Sequence, residues 1–175
     1  MKNIKQKRII IPVIIIIFIG AAVSIMPWWS DIDITLNGIQ ARIGDEEYTE
    51  EKTINISGRY WRYLFRADRF EGRIKVEGYD FTYNAQPLVS LNQNSLTLDY
   101  MGNVNGKPFI ESLGRLNFKP VFSEVLIWVY GQHVDSNSNS RGWTSEDGLF
   151  ISAPAGSREQ AIDIANNLAG YINWE

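Results

Sequence analysis

Cysteine is absent from all 175 residues. That single absence removes disulfides, thiolate metal sites, thiol nucleophiles and a lipid-modified cysteine together. A chain without thiols has nothing to mispair in an oxidising compartment, so export is compatible with this composition. Histidine is nearly absent as well, His133 being the only one, and no cysteine–histidine metal cluster is written here. There is no phosphate-binding glycine loop and no dinucleotide fingerprint. No repeat of fixed period appears, and low complexity is confined to the short run Asp135–Ser140.

Basic charge is scarce outside the N-terminus. Four of the 17 basic residues, Lys2, Lys5, Lys7 and Arg8, precede Asp31 with no acid among them, and the other 13 face all 20 acids. Residues 31–175 are therefore net negative, which argues against nucleic acid as a partner.

The stretch from Ile9 to Trp29 carries no charge over about 21 residues. As a helix rising ~1.5 Å per residue it would cover roughly 31 Å, the thickness of a bilayer's hydrocarbon core. Pro12 falls near the start of this span and Pro27 where it should stop. Trp28 and Trp29 sit at the depth of an interfacial aromatic belt. All four basic residues precede the span, so the positive-inside rule predicts a cytoplasmic segment 1–8, a single-pass signal-anchor helix over 9–29 and an extracytoplasmic domain over 31–175. The competing expectation is a signal peptide cut near Ser24, where Ala22, Val23 and Ser24 follow the helix-breaking Gly20. Either route places the domain outside the membrane, and the isoleucine-rich span after a lysine-rich start fits a bacterial cell envelope.

Residues 31–175 alternate with the period of strands. A first strand is expected over Ile32–Leu36, a turn at Asn37-Gly38 and a return strand over Ile39–Ile43, with Asp45–Glu51 as a solvated loop. Thr53–Ser57 and Tyr60–Phe65 follow, separated by Gly58, and the alternation puts Trp61, Tyr63 and Phe65 on a core face with the arginines opposite. Phe70–Glu77, Phe81–Tyr83, Leu88–Leu91, Leu96–Met101 and Pro108–Phe118 continue the pattern, with Gly114 at a bulge. Val125–Tyr130 is apolar throughout and predicts a central strand covered on both faces. After a polar loop and a last strand at Leu149–Ser152, Ser157 and Gln160 read as a capping box, and Ala161, Ile164, Ala165, Leu168 and Ile172 follow at helical spacing. The expected fold is mainly β: an antiparallel sandwich or a strongly curled sheet of about 8–10 strands with one C-terminal amphipathic helix.

Two local patterns suggest binding. Asp135, Asn137 and Asn139 with Glu146 match the spacing of a calcium loop, although Ser140 stands where the turn needs glycine, and a flexible hairpin tip is the plainer alternative. Arg59, Arg62, Arg66 and Arg69, interleaved with aromatics, form a basic-aromatic stretch able to grip anionic polymers, phospholipid headgroups or sugars; a core face backed by a solvated arginine face is the plainer alternative.

His133 with Asp135 and Ser136 is spaced too closely along the chain to build a nucleophile–base–acid relay. Asp31 with Asp33, and Glu46 with Glu47, read as charged loops. Asn55-Ile56-Ser57 satisfies the glycosylation triplet but falls inside an expected strand. The functional expectation is a membrane-tethered, non-enzymatic binding or scaffold module with an envelope protein or a cell-wall polymer as partner. A barrel holding an apolar small molecule or lipid is the first alternative, and a wall-glycan hydrolase the second.

Overall fold

The computed structural model describes residues 28–65, 68–92, 95–104, 106–132, 141–143 and 148–169, together with Phe18 and Gly20. Of the helix expected over 9–29, only Phe18, Gly20, Trp28 and Trp29 fall among them: Phe18 and Gly20 are helical, whereas Trp28 and Trp29 open a β-strand instead of ending the helix. Among the described residues no helix is long and apolar enough to cross a membrane.

Strands β1 (Trp28–Arg42), β2 (Asp45–Arg62) and β3 (Arg69–Val76) form a meander, and a short helix α1 (Phe81–Asn84) follows. Then come β4 (Gln86–Asn92), β5 (Ser95–Val104) and β6 (Lys107–Phe118), a 3-10 turn at Pro120–Phe122, β7 (Val125–Val129) and the two-residue ladder β8 (Gly131–Gln132) with β9 (Arg141–Gly142). Strand β10 (Leu149–Ala153) and helix α2 (Arg158–Ala169) complete the described chain. Eight strands make one antiparallel sheet in the order β3-β2-β1-β10-β7-β6-β5-β4. This is the strongly curled arrangement, and its edge strands β3 and β4 approach each other across the open side.

The curl creates an inside and an outside. Ile32, Ile54, Ile56, Ile74, Leu98, Leu116, Ile127 and Ile151 point inward and are buried together. On the outer face Ile39, Ala41, Leu126, Trp128 and Phe150 are covered by Ala161 and Ala165 of α2. β7 is accordingly buried at every position, as its uninterrupted apolar sequence predicts. Helix α2 also begins as predicted, with the Ser157 hydroxyl accepting a hydrogen bond from the Gln160 amide at 3.4 Å. The Gln160 side chain in turn accepts from the Gly156 amide.

The start of the domain departs from the sequence expectation. Asn37-Gly38 makes no turn; β1 runs straight through it and pairs with β2 from Trp28↔Arg62 to Arg42↔Asp45. Gly38 is there for space, since a Cβ at that position would lie 2.5 Å from the Ser152 carbonyl oxygen and 2.7 Å from the Ala153 Cβ. The close approach of β10, not a reversal of the chain, excludes a side chain. Asp45–Glu51 is likewise strand rather than loop, because the β1–β2 ladder continues through it.

Gly58 does not divide two strands either. It pairs with Gly72 of β3, and a Cβ on Gly58 would fall 2.5 Å from the Gly72 Cα. The two bare positions let β2 and β3 bend tightly over the core. Phe81–Tyr83, expected as extended, falls in α1, with the Thr82 hydroxyl accepting from the Val76 amide at 3.1 Å. The bulge expected at Gly114 is present: Leu98 pairs with Gly114 and Asp99 with Ser112, leaving Leu113 over.

One end of the curled sheet is shut by aromatics. Phe122 is fully buried. Its ring lies 4.9 Å from that of Phe70, 4.5 Å from Phe118 and 6.0 Å from Tyr60. We term this the base, the end at which β1 begins. The opposite end, where β1 meets β2 in their tight turn, is the mouth.

Candidate functional site

The inward positions of β2 are Ile54, Ile56 and Tyr60 toward the base, but Tyr48, Glu50 and Lys52 toward the mouth. The acidic stretch is therefore the polar lining of one end. Gln40 of β1 stands at its centre. Its amide donates to the Tyr48 hydroxyl at 2.6 Å and to Glu50 at 3.2 Å, and its carbonyl accepts from the Tyr79 hydroxyl at 2.8 Å. Lys52, almost fully buried, is ion-paired to Glu50, and its ammonium lies 6.0 Å from the centre of the Tyr79 ring. The hydrogen bond from Lys52 holds the Glu50 carboxyl below the usual carboxylate range. Burial, followed by the nearby Tyr48 and Glu50, pushes the Tyr79 hydroxyl up. Every polar group of the network thus has a partner, as a buried polar cluster requires.

Tyr79 presents its other side to an open groove of about 590 Å³. Leu113 and Val129 form an apolar floor; Tyr79, Phe81, Phe109 and Tyr130 supply aromatic walls. Asn84, Asn103, Glu111 and Ser112 add amides, a carboxyl and a hydroxyl to the same lining. The bulge contributes directly, because the extra residue Leu113 accepts a backbone hydrogen bond from Tyr130 at 2.9 Å and so fixes the floor to the wall. Rings T-shaped to one another, Tyr79 to Phe81 at 6.2 Å and Phe81 to Tyr100 at 5.5 Å, brace the wall from behind. Among the described residues Glu111 is the one carboxylate lining the groove, and no group of three acidic or histidine side chains is placed to hold a metal.

The basic-aromatic stretch lies at the base. Tyr60, not Trp61, is the buried member; it donates a hydrogen bond to Asp68 at 2.7 Å. Trp61 faces outward, with the Arg59 guanidinium 6.0 Å and the Arg69 guanidinium 5.5 Å from its ring centre. Arg59 also lies 5.0 Å from the ring of Trp29 on the neighbouring strand. Phe65, expected in the core, is 80% exposed. The face was misassigned because the strand was divided at Gly58; parity carried from the buried Ile54 and Ile56 through Gly58 leads to Tyr60.

Two of these arginines are ion-paired to neighbouring acids. Arg59 is paired with Asp31 at 3.1 Å and Arg69 with Glu71, while Arg62 stands at the strand end opposite Trp28. Arg66 lies outside the described residues. So do Asp135, Asn137, Asn139 and Glu146 of the calcium-loop pattern, and His133 with them. Asn55 sits within β2 as expected and accepts from the Thr35 hydroxyl at 2.7 Å.

The groove is the feature that sequence reading missed. Its residues are scattered over α1, strands β5, β6 and β7, and the connecting residues Tyr79 and Tyr130, and each is unremarkable alone. A usable signal exists in aromatic and amide residues placed beside glycines, one in a turn and two in strands: Gly78-Tyr79, Gly102-Asn103 and Tyr130-Gly131. Comparison with protein-family models, curated proteins and solved structures returns no match for this chain.

Proposed function

We propose that this protein is a tethered binding module of the cell envelope, and that its mouth groove holds a strand of wall glycan. The observation that carries this reading is the groove itself. Flat aromatic rings suit the apolar faces of sugar rings, and convergent amides, a carboxyl and a hydroxyl suit their hydroxyl groups. The lining mixes those two chemistries in one place. An open trough also suits a polymer, which enters sideways and continues beyond the site.

Two features weigh against the alternatives. Sites for apolar small molecules enclose most of the ligand surface, whereas the described interior of this sheet is filled by its own side chains from Phe122 to Tyr100. Glycoside hydrolysis uses two facing carboxyl groups about 5–10 Å apart, and among the described residues this groove is lined by Glu111 alone. The polar network behind Tyr79 serves binding by holding that ring in place. The N-terminal span, in this reading, keeps the module at the membrane surface.

Co-sedimentation of the full chain, in mild detergent, with purified cell-wall glycan tests the proposal. Saturable binding is expected, and Phe109→Ala should weaken it by roughly tenfold, the worth of one stacked ring. Phe109 is only partly buried, so the variant should stay folded. Binding that is absent, or equal in the wild type and the variant, would refute it.

A further inference from the structure

Among the described residues, five of the domain's eight exposed large apolar side chains lie at its base, the other three being Tyr83, Met101 and Ile110. Trp28 is 63% and Trp29 61% exposed, and beyond the end of β2 Leu64 is 59% and Phe65 80% exposed. All four stand at the same end of the sheet, because Trp28 pairs with Arg62 and Trp29 with Trp61, and Leu64 and Phe65 follow Arg62 after Tyr63. Val121, 42% exposed, extends the same end. Isolated exposed apolar residues need no explanation, but several together on one end of a small domain mark a contact surface.

We infer that this end is a membrane-docking surface, seated on the phospholipid interface of the bilayer that anchors the chain. The inference rests on the tether part of the proposed function and adds to it an orientation of the domain. Three observations choose lipid over a protein partner. The first is where the uncharged run ends: it reaches Trp29, inside β1 itself, so the base is held within a residue or two of the bilayer surface. The second is the chemistry. Tryptophan and arginine with an apolar tip are the composition of a membrane–water interface, where an indole or guanidinium keeps one side in water and one in lipid.

The third observation is that the arginines are already oriented. Arg59, paired with Asp31, is held over Trp29 and half-buried Trp61, and Arg69, paired with Glu71, over Trp61. Both arginine side chains stay more than half exposed, so their remaining N–H groups can reach lipid phosphates beside the exposed Trp29 indole. Seating the base in this way points the groove away from the membrane, along β1, whose 15 residues span roughly 50 Å at ~3.3 Å each.

Because the chain has no cysteine, a single one can be introduced and labelled. The test uses the full chain with Phe65→Cys, or Lys107→Cys at the mouth, each carrying a bimane label. Each is reconstituted in vesicles of phosphatidylcholine and phosphatidylglycerol doped with nitroxide-bearing lipid. Both positions are exposed, so neither label disturbs the core. Lipid quenching severalfold stronger at position 65 than at 107 is the expected result. Equal quenching in protein that floats with the vesicles would overturn the docking surface while leaving the tether intact. Protein that fails to float with the vesicles would overturn the tether, and the docking inference with it.

Discussion

The Tyr100 hydroxyl on β5 donates a hydrogen bond of 2.8 Å to the Ile74 carbonyl oxygen on β3. These strands are near opposite ends of the sheet order, so one phenol clasps the curled sheet across its open side. Tyr100 is fully buried, and its removal leaves a buried carbonyl without that donor. Tyr100→Phe should cost about 1–3 kcal/mol, read as a lower urea midpoint with an unchanged slope. A midpoint within error of the wild type would mean that the clasp contributes nothing.

The same phenol sets behaviour in alkali. Burial pushes the hydroxyls of Tyr60, Tyr79 and Tyr100 up from the ordinary 10.0. A group whose folded value is raised contributes its full stability below the unfolded value and loses it as pH climbs toward the folded one. Stability should therefore fall as pH rises above about 10, and the fall should be shallower in Tyr100→Phe. Parallel curves for the two proteins would contradict the assignment.

Acid acts on the mouth. The folded Glu50 carboxyl is lowered by its hydrogen bond from Lys52, so its contribution is present above the unfolded carboxylate value of about 4.3 and is lost as pH falls through the folded one. Glu50→Gln should be less stable than the wild type at neutral pH, and the gap between them should narrow on acidification. A gap that stays constant down to the acid transition would show that the ion pair is not the source.

The base tests packing and strain separately. Phe122→Ala should cost about 3–5 kcal/mol, since it empties the space among Phe70, Phe118 and Tyr60. Neighbouring Val121 sits at φ 62°, a region that costs a β-branched residue on the order of 1–2 kcal/mol. Val121→Gly should be neutral or slightly stabilising despite the added chain entropy of glycine. Thermal unfolding of both variants separates the two effects, and a large loss in Val121→Gly would show that the valine side chain, not the turn, matters there.

Space at the β1–β10 contact gives a further check. Gly38→Ala places a methyl group against the Ser152 carbonyl and the Ala153 side chain, neither of which is the mobile end of a long side chain. A loss of about 1–3 kcal/mol is expected from overpacking. Unchanged stability would indicate that β10 shifts without cost.

Much of the fold was legible where one signal dominated. Val125–Tyr130 announced a strand covered on both sides, of which β7 takes Val125–Val129, and Ser157 with Gln160 announced the start of α2. Two of the errors share one cause: glycine was read as punctuation. Gly38 and Gly58 lie in mid-strand because other backbone passes over them, and that depends on β10 and β3, distant in sequence. Misreading Gly58 broke the parity of β2 and moved Trp61 to the wrong face. The polar residues Tyr48 and Glu50 looked like loop because a strand end that lines a mouth obeys no inside-apolar rule. The groove was the least legible feature, since curl and a one-residue bulge assemble it from segments none of which carries a motif.

The central claim is that the mouth groove takes glycan. NMR of the full chain in micelles, titrated with a β-1,4-linked N-acetylglucosamine oligomer, tests it most directly. Saturable shifts are expected at the amides of Asn84, Asn103, Glu111 and Tyr130, with Asp31 and Trp61 at the base unmoved. Saturation without groove shifts, or shifts confined to the base, would contradict it.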